Sequence, residues 1–259
     1  MINYTKFSIL FFSLSIPIII AVFWLNYSWL ILLAFILLFI TGLVLGSIKI
    51  CSNFYIKTIC RGFANKNAIS ITFDDGPNQN ITPKILDILK ENQIKACFFC
   101  IGKNVELNNE LIKRIDNDGH IVGNHTYSHS NNFDLFSSSK MKNEITKTNY
   151  TIQNIINKEV KYFRPPYGVT NPNLAKALKN TNLISIGWSL RSLDTTSKGD
   201  ISNTLKRLEK IKAGDIVLLH DRLVEAPDIL KKFIEIVRKK KFEFVRLDEF
   251  IQSIDSVCL

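Results

Sequence analysis

Two apolar runs open the chain, residues 7–25 and 29–48, and neither contains a charged side chain. Each approaches the ~20 residues that a helix needs to cross the hydrocarbon core of a bilayer. Only Asn26, Tyr27 and Ser28 separate them, so the simplest arrangement is a tight transmembrane hairpin. Trp24, Tyr27 and Trp29 gather at its turn, where interfacial aromatic residues belong. A cleaved signal peptide followed by a buried helix fits less well. Lys6 alone would supply its basic region, and a second full-length apolar run follows directly.

Further on, short apolar runs alternate with longer amphipathic segments. The pattern predicts strands at 68–73, 95–101, 120–123, 161–164, 183–188, 215–220 and 242–246. Helices are predicted at about 82–92, 105–118, 137–157, 171–180, 201–212, 226–239 and 247–255. Thr82-Pro83 and Asn171-Pro172 each set a capping residue before a first-turn proline. Strands alternating with helices imply βαβ units and a parallel sheet. The repeat is compatible with a barrel or an open doubly wound sheet, and periodicity does not choose between them.

Polar residues cluster at the strand ends. Asp74-Asp75, Arg164 and His220 sit at, or just past, the C-terminal end of a predicted strand, and His125 follows another by two residues. Barrel enzymes build their sites on that rim. Of the four histidines in the chain, three fall in these segments.

His125 and His129 are four apart, so a helical turn or compact loop can aim both rings to one side. Two imidazoles with Asp75 as third ligand make an open site for a divalent cation. Taken alone, the HxxxH pair is equally a pair of polar loop residues; Asp-Asp at another strand end weakens that reading. Adjacent carboxylates raise one another's pKa. A metal at Asp75 relieves that conflict and leaves Asp74 free to take a proton from water. Asp75-Gly76-Pro77 also turns the chain, which does not exclude catalysis. His220 fits a general acid, with Asp194 a candidate to orient it. Arg164-Pro165-Pro166-Tyr167 offers a fixed cation to hold Asp74 and a stiff turn. The backbone N–H of Tyr167 is a candidate oxyanion donor. His120 has no partner pattern and is assigned no role.

Charge and cysteine content change this picture little. The net charge of +10 would suit a nucleic-acid partner, but Lys and Arg are dispersed among acids. Lys239-Lys240-Lys241 is the one run, and it closes a predicted helix, where cations suit the helix dipole. No nucleic acid is expected. Five cysteines form no convincing framework. Cys97-Phe98-Phe99-Cys100 reads as a strand whose two thiols point to opposite faces, so neither metal binding nor pairing is expected there.

With these residues in hand, residues 66–250 resemble the polysaccharide deacetylases (NodB-homology domain), a carbohydrate esterase family that includes chitin-oligosaccharide and peptidoglycan N-deacetylases. Thr72-Phe73-Asp74-Asp75, His125-Thr126-Tyr127-Ser128-His129, Arg164-Pro165-Pro166-Tyr167-Gly168 and Leu218-Leu219-His220 carry the resemblance, in the family's order. It implies a distorted (β/α) barrel, here preceded by the transmembrane hairpin. It implies a divalent metal, usually zinc, on Asp75, His125 and His129. Asp74 would be the base, His220 the acid, Arg164 the partner of Asp74 and Asp194 the partner of His220. Tyr167 would supply the oxyanion donor and Leu218 would line the acetyl pocket. Where the family often has Asp-x-x-Asp-Trp, this chain reads Arg191-Ser192-Leu193-Asp194-Thr195. Trp188, earlier at a strand end, is placed to cover part of the lost surface.

The expected organisation is a membrane anchor over 1–50, a connector over 51–65 and a deacetylase catalytic domain over 66–259. The expected activity is metal-dependent removal of N-acetyl groups from amino-sugar glycans of the N-acetylglucosamine type, releasing acetate. The alternatives are a lipid-linked sugar or an O-acetyl ester as substrate, or a non-catalytic, membrane-tethered glycan-binding protein. Topology is a conflict. A hairpin puts both ends on one side, and Lys6, Lys49, Lys57 and Arg61 mark that side as cytoplasmic. Family substrates in the cell wall lie outside.

Overall fold

The computed structural model describes residues 3–62 and 67–255; the expected domain boundary at 65–66 lies outside the described residues. The first apolar run forms helix α1 (Tyr4–Phe23), whose cap residue Asn3 accepts a hydrogen bond from the Lys6 N–H. The second forms α2 (Leu30–Ile48). The two pack through an aromatic seam: Phe11 stacks on Phe35 and Phe39 at 4.4 and 3.9 Å, and Phe7 stacks on Phe39 at 5.3 Å. Gly42 is needed for this approach, since a Cβ there would meet the Phe7 ring at 2.3 Å. Away from the seam the helices expose Ile9, Phe12, Ile16 and Leu38. Both are long and apolar enough to cross a membrane.

Among the described residues, nine strands form one sheet. β1 (Thr58–Ile59) comes first in the chain, followed by β2 (Ala68–Asp74), β3 (Cys97–Cys100), β4 (Ile121–Asn124) and β5 (Tyr162–Phe163). β6 (Ile184–Ile186), β7 (Leu190–Arg191), β8 (Ile216–His220) and β9 (Glu243–Phe244) follow. Their order is β1-β6-β5-β4-β3-β2-β8-β7, all parallel, with β9 paired to the start of β2. The sheet therefore ends at β1 and β7 without closing. It is an open, curled half-barrel, so the expected barrel is incomplete. β1 and β7 were not anticipated, and β1 draws part of the expected connector into the sheet.

The helices pack on the outside: α3 (Thr82–Glu91), α4 (Gly102–Leu107), α5 (Asn109–Asn117), α6 (Ser138–Ile156), α7 (Pro172–Leu178), α8 (Ser202–Leu208), α9 (Ala226–Lys239) and α10 (Leu247–Asp255). The single helix predicted at 105–118 is two. The Asn108 side chain donates to the Asn104 carbonyl at 2.8 Å, ending α4, while its own carbonyl accepts from Leu111 and Ile112 to begin α5. An asparagine competes for backbone in this way and breaks the helix.

Period-2 alternation sorts the strands. Ile69, Ile71 and Phe73 of β2, Phe98 and Cys100 of β3, and Val217 and Leu219 of β8 join the large core under the helices. The opposite face of the same strands carries Thr72, Asp74, Phe99, Leu218 and His220. Register sets Asp74 beside His220 and Thr72 beside Leu218. Cys97 and Cys100 lie buried in different clusters, as the strand geometry predicts. Cys51 and Cys60, by contrast, form a disulfide. The expectation of no cysteine framework is corrected there: nine residues of separation carry no pairing signal until the connector folds back.

Candidate active site

β2 delivers Asp74 to the concave face and then turns. Asp75 adopts a left-handed backbone, φ 75°, which aspartate tolerates better than most residues. Gly76 packs against Asp221, so closely that a Cβ would lie 2.2 Å from its carboxylate. β4 ends at Asn124, whose side chain donates to the Ile145 carbonyl and to Asn149, and accepts from the Thr126 N–H. That anchors a compact loop, in which Thr126 and His129 both take positive φ. The His125 and His129 rings come 4.8 Å apart. Asp75 Oδ1 stands 3.5 Å from His125 Nε2 and 3.4 Å from His129 Nε2.

These three donors fit a divalent cation. Their ligand atoms all lie within 4.8 Å of one another, and two imidazoles with one carboxylate is a recurring open set. The His125 Nδ1–H donates to the Arg164 carbonyl at 2.8 Å, which leaves the Nε2 lone pair free. Burial works against charge on Asp75, yet hydrogen bonding and charge from His125, with His220 and His129, hold its carboxyl well below the usual range. Burial and then the neighbouring His125 push His129 down to about 4, leaving its ring neutral near pH 7. His125 goes the other way. Burial opposes its charge, but Asp74 and Asp75 outweigh that and raise its pKa. The pair of carboxylates attracts positive charge to this spot.

Arg164 is fully buried. Its Nη1 donates to Asp74 Oδ1 at 2.7 Å and to Thr72 Oγ1 at 2.8 Å, while Nε and Nη2 donate to the carbonyls of Ile186 and Gly187. The Phe99 ring lies 4.1 Å from the guanidinium carbon. The rigid guanidinium fork is thus held from several sides. Asp74 Oδ2 remains 3.8 Å from His125 Nε2, facing the cation-binding group.

At the end of β8, Asp194, from the 3-10 turn after β7, grips His220 twice. Its Oδ1 accepts from the ring Nδ1–H at 2.7 Å and its Oδ2 accepts from the backbone N–H at 2.8 Å. Burial opposes charge on His220, but the hydrogen bond and charge of Asp194, then Asp74 and Asp75, raise its pKa. Nε2 is the ring nitrogen left for other work.

Asp74, Asp75, His125, His129, Tyr167, Trp188, Leu218 and His220 all line one cavity of about 540 Å³. Arg164 and Asp194 sit directly behind it. Tyr167 holds φ 59° after the Pro165-Pro166 pair, and its hydroxyl donates to Asn131 at 2.8 Å. Gly168 lets Trp188 close against this turn, since a Cβ there would meet the indole at 2.4 Å. Arg222 and Asn131 are among the cavity residues that the sequence did not point to, with Asn78, Ile101 and Asn104. Arg222 donates to Asp75 Oδ2 at 2.7 Å, and Asn131 positions Tyr167. Asn124, behind the histidines, also went unnoticed. Only its place directly after the strand predicted at 120–123, before the histidine loop, was a signal.

An open half-barrel with a His-His-Asp cluster, an arginine-held carboxylate and a carboxylate-held histidine at one rim defines a hydrolase site built for a divalent cation. The polysaccharide deacetylase family model matches residues 62–185. The chain is 35% identical over 193 residues to a peptidoglycan-N-acetylglucosamine deacetylase of Bacillus cereus, covering 73% of this chain and 70% of that one. A solved peptidoglycan N-acetylglucosamine deacetylase superposes with TM-score 0.69 at 34% identity, covering 75% of this chain and 92% of the other. A family 4 carbohydrate esterase pseudoenzyme of Bacillus anthracis gives TM-score 0.69 at 28% identity, covering 75% and 68%. The chain belongs to the polysaccharide deacetylase family.

Proposed function

We propose that this chain is a membrane-anchored, zinc-dependent hydrolase that removes N-acetyl groups from N-acetylglucosamine-type glycans. The observation that carries the reading is the convergence on one cavity of the Asp75, His125 and His129 cluster, the Arg164-held Asp74 and the Asp194-held His220. Relatives named for N-acetylglucosamine deacetylation support the substrate class.

Asp75, His125 and His129 would hold the ion, whose chemistry when bound is that of a Lewis acid. The chain's own residues account for the remaining steps. Asp74, fixed through Oδ1, uses Oδ2 to take a proton from the attacking water. The new C–O bond leaves an oxyanion on the former acetyl carbonyl, toward which the Tyr167 backbone N–H donates. His220, charged through Asp194, gives its proton from Nε2 to the amide nitrogen as the C–N bond breaks. Acetate and a free amine result. Leu218 and Trp188 line the space for the acetyl methyl.

Set against a glycan-binding protein without catalysis, the complete base, acid and ligand set favours turnover. An O-acetyl ester would use the same groups, with less need for the acid.

In this reading residues 1–50 anchor the chain through α1 and α2, 51–65 connect, and 66–259 catalyse. The Cys51–Cys60 disulfide supports an oxidising, extracytoplasmic side for the catalytic domain. The charge bias of Lys6, Lys49 and Lys57 stands against it, while Arg61 is ion-paired with Asp215 and so is not a free topological signal. A C-terminal reporter active on only one side of the membrane tests the side. Acetate release from N-acetylglucosamine oligomers, with zinc or chelator, tests the activity.

A further inference from the structure

The membrane hairpin is fastened to the wall of the cavity. At the end of α2, Ser47 Oγ donates to the Thr170 carbonyl at 2.5 Å, and the Thr170 N–H donates to the Ser47 carbonyl at 3.0 Å. Thr170 is three residues past Tyr167, which lines the cavity, so at most ~10 Å of chain separates the two. The described part of the connector, residues 51–62, adds no slack. Phe54 is buried against Gly46 of α2, and its carbonyl accepts from the Tyr4 N–H of α1. Thr58 and Ile59 pair with Ser185 and Ile186 of β6, and the Cys51–Cys60 disulfide closes the loop that carries them. Gly187, whose carbonyl holds Arg164, packs against Cys60 and Ile50.

A catalytic domain on a long flexible linker samples polymer far from the bilayer. This one does not: if α2 spans, its C-terminal end and the cavity share the membrane–water boundary. Exposed Lys49 and Lys57 stand on the same foot, where they suit anionic headgroups. The wall then leads to a cation. Cys51 Sγ lies 3.1 Å from the Trp188 carbonyl, and Arg191 lies over the Trp188 ring at 5.7 Å, within the cavity lining. Arg222 is committed to Asp75, whereas Arg191 is exposed at the cavity wall. A guanidinium at that wall accepts an anion, in fork geometry where the anion is a phosphate.

We infer that the cavity takes an N-acetylated amino sugar joined through phosphate to a membrane lipid. The lipid holds the sugar at the depth of the cavity, and Arg191 meets the phosphate. This rests on the deacetylase reading above and on α1 and α2 spanning the bilayer.

The full chain, zinc-loaded in phospholipid vesicles, would be given polyprenyl-diphosphate N-acetylglucosamine in the same vesicles, and separately the soluble N-acetylglucosamine tetramer. Acetate should come at least about tenfold faster from the lipid-linked sugar, because a shared surface raises effective concentration. R191E should cut that ratio about fivefold or more by setting a carboxylate against the phosphate. Equal or faster release from the tetramer, or a ratio indifferent to R191E, overturns the inference and leaves the deacetylase standing. Acetate from neither substrate, by folded protein that binds zinc, overturns both.

Discussion

Arg164 Nη1 lies 2.7 Å from Asp74 Oδ1, and both side chains are almost wholly removed from solvent. The pair joins β5's end to β2's end across the open sheet, and the guanidinium's other hydrogen bonds end on Thr72 of β2 and on the Ile186 and Gly187 carbonyls at the end of β6. Breaking one partner of such a pair leaves an uncompensated buried charge, at a cost of about 3–5 kcal/mol. Arg164→Met should therefore lower stability by that order in denaturant titration and reduce acetate release by about 100-fold or more. Arg164→Lys should rescue little of either, because a point charge cannot reproduce the fork that reaches Thr72, Ile186 and Gly187. Full rescue by lysine would show that charge alone suffices.

Metal binding and proton transfer should separate by residue. His129→Ala removes one of three ligand atoms and should weaken zinc affinity about 10–100-fold or more in chelator competition. Asp74→Asn should leave affinity within a few-fold, because Asp74 stands outside the ligand triad.

The pH profile should report His220. Asp194 holds its pKa above the ordinary histidine value, so the acid form persists to higher pH and the alkaline limb of kcat falls late. Asp194→Asn should move that limb to lower pH. The same shift bears on stability: a raised folded pKa contributes stability that is fully present below about 6.5, the unfolded value, and lost as pH rises through the folded value. A limb unmoved by Asp194→Asn would remove His220 from the acid's place.

Thiol mapping tests the connector. In denatured but unreduced protein, Cys97 and Cys100 should label with maleimide, while Cys51 and Cys60 should label only after reduction. Labelling of Cys51 without reductant would return the connector to an open chain and weaken the extracytoplasmic reading.

Much of this site was legible because its residues stand where strands end. Asp74, Arg164 and His220 close apolar runs, and alternation along β2 and β8 decides that 72, 74, 218 and 220 share a face. What escaped depends on neighbours distant in sequence. β1 and β7 are two residues each, too short for any period, and exist by pairing with β6 and β8. Whether the sheet closes is decided by where those edges lie. Arg222 is simply a loop arginine until the turn at Asp75 brings the carboxylate to it. Asn108 carries a helix break that amphipathic spacing across 105–118 conceals.

Metal-dependent deacetylation is decided by acetate release by the full chain from N-acetylglucosamine oligomers and peptidoglycan fragments, with zinc, with chelator, and beside Asp74→Asn. Release should be abolished by chelator and should fall about 10²–10⁴-fold in the variant, the usual contribution of a general base. Normal turnover by Asp74→Asn, or release indifferent to chelator, would contradict it.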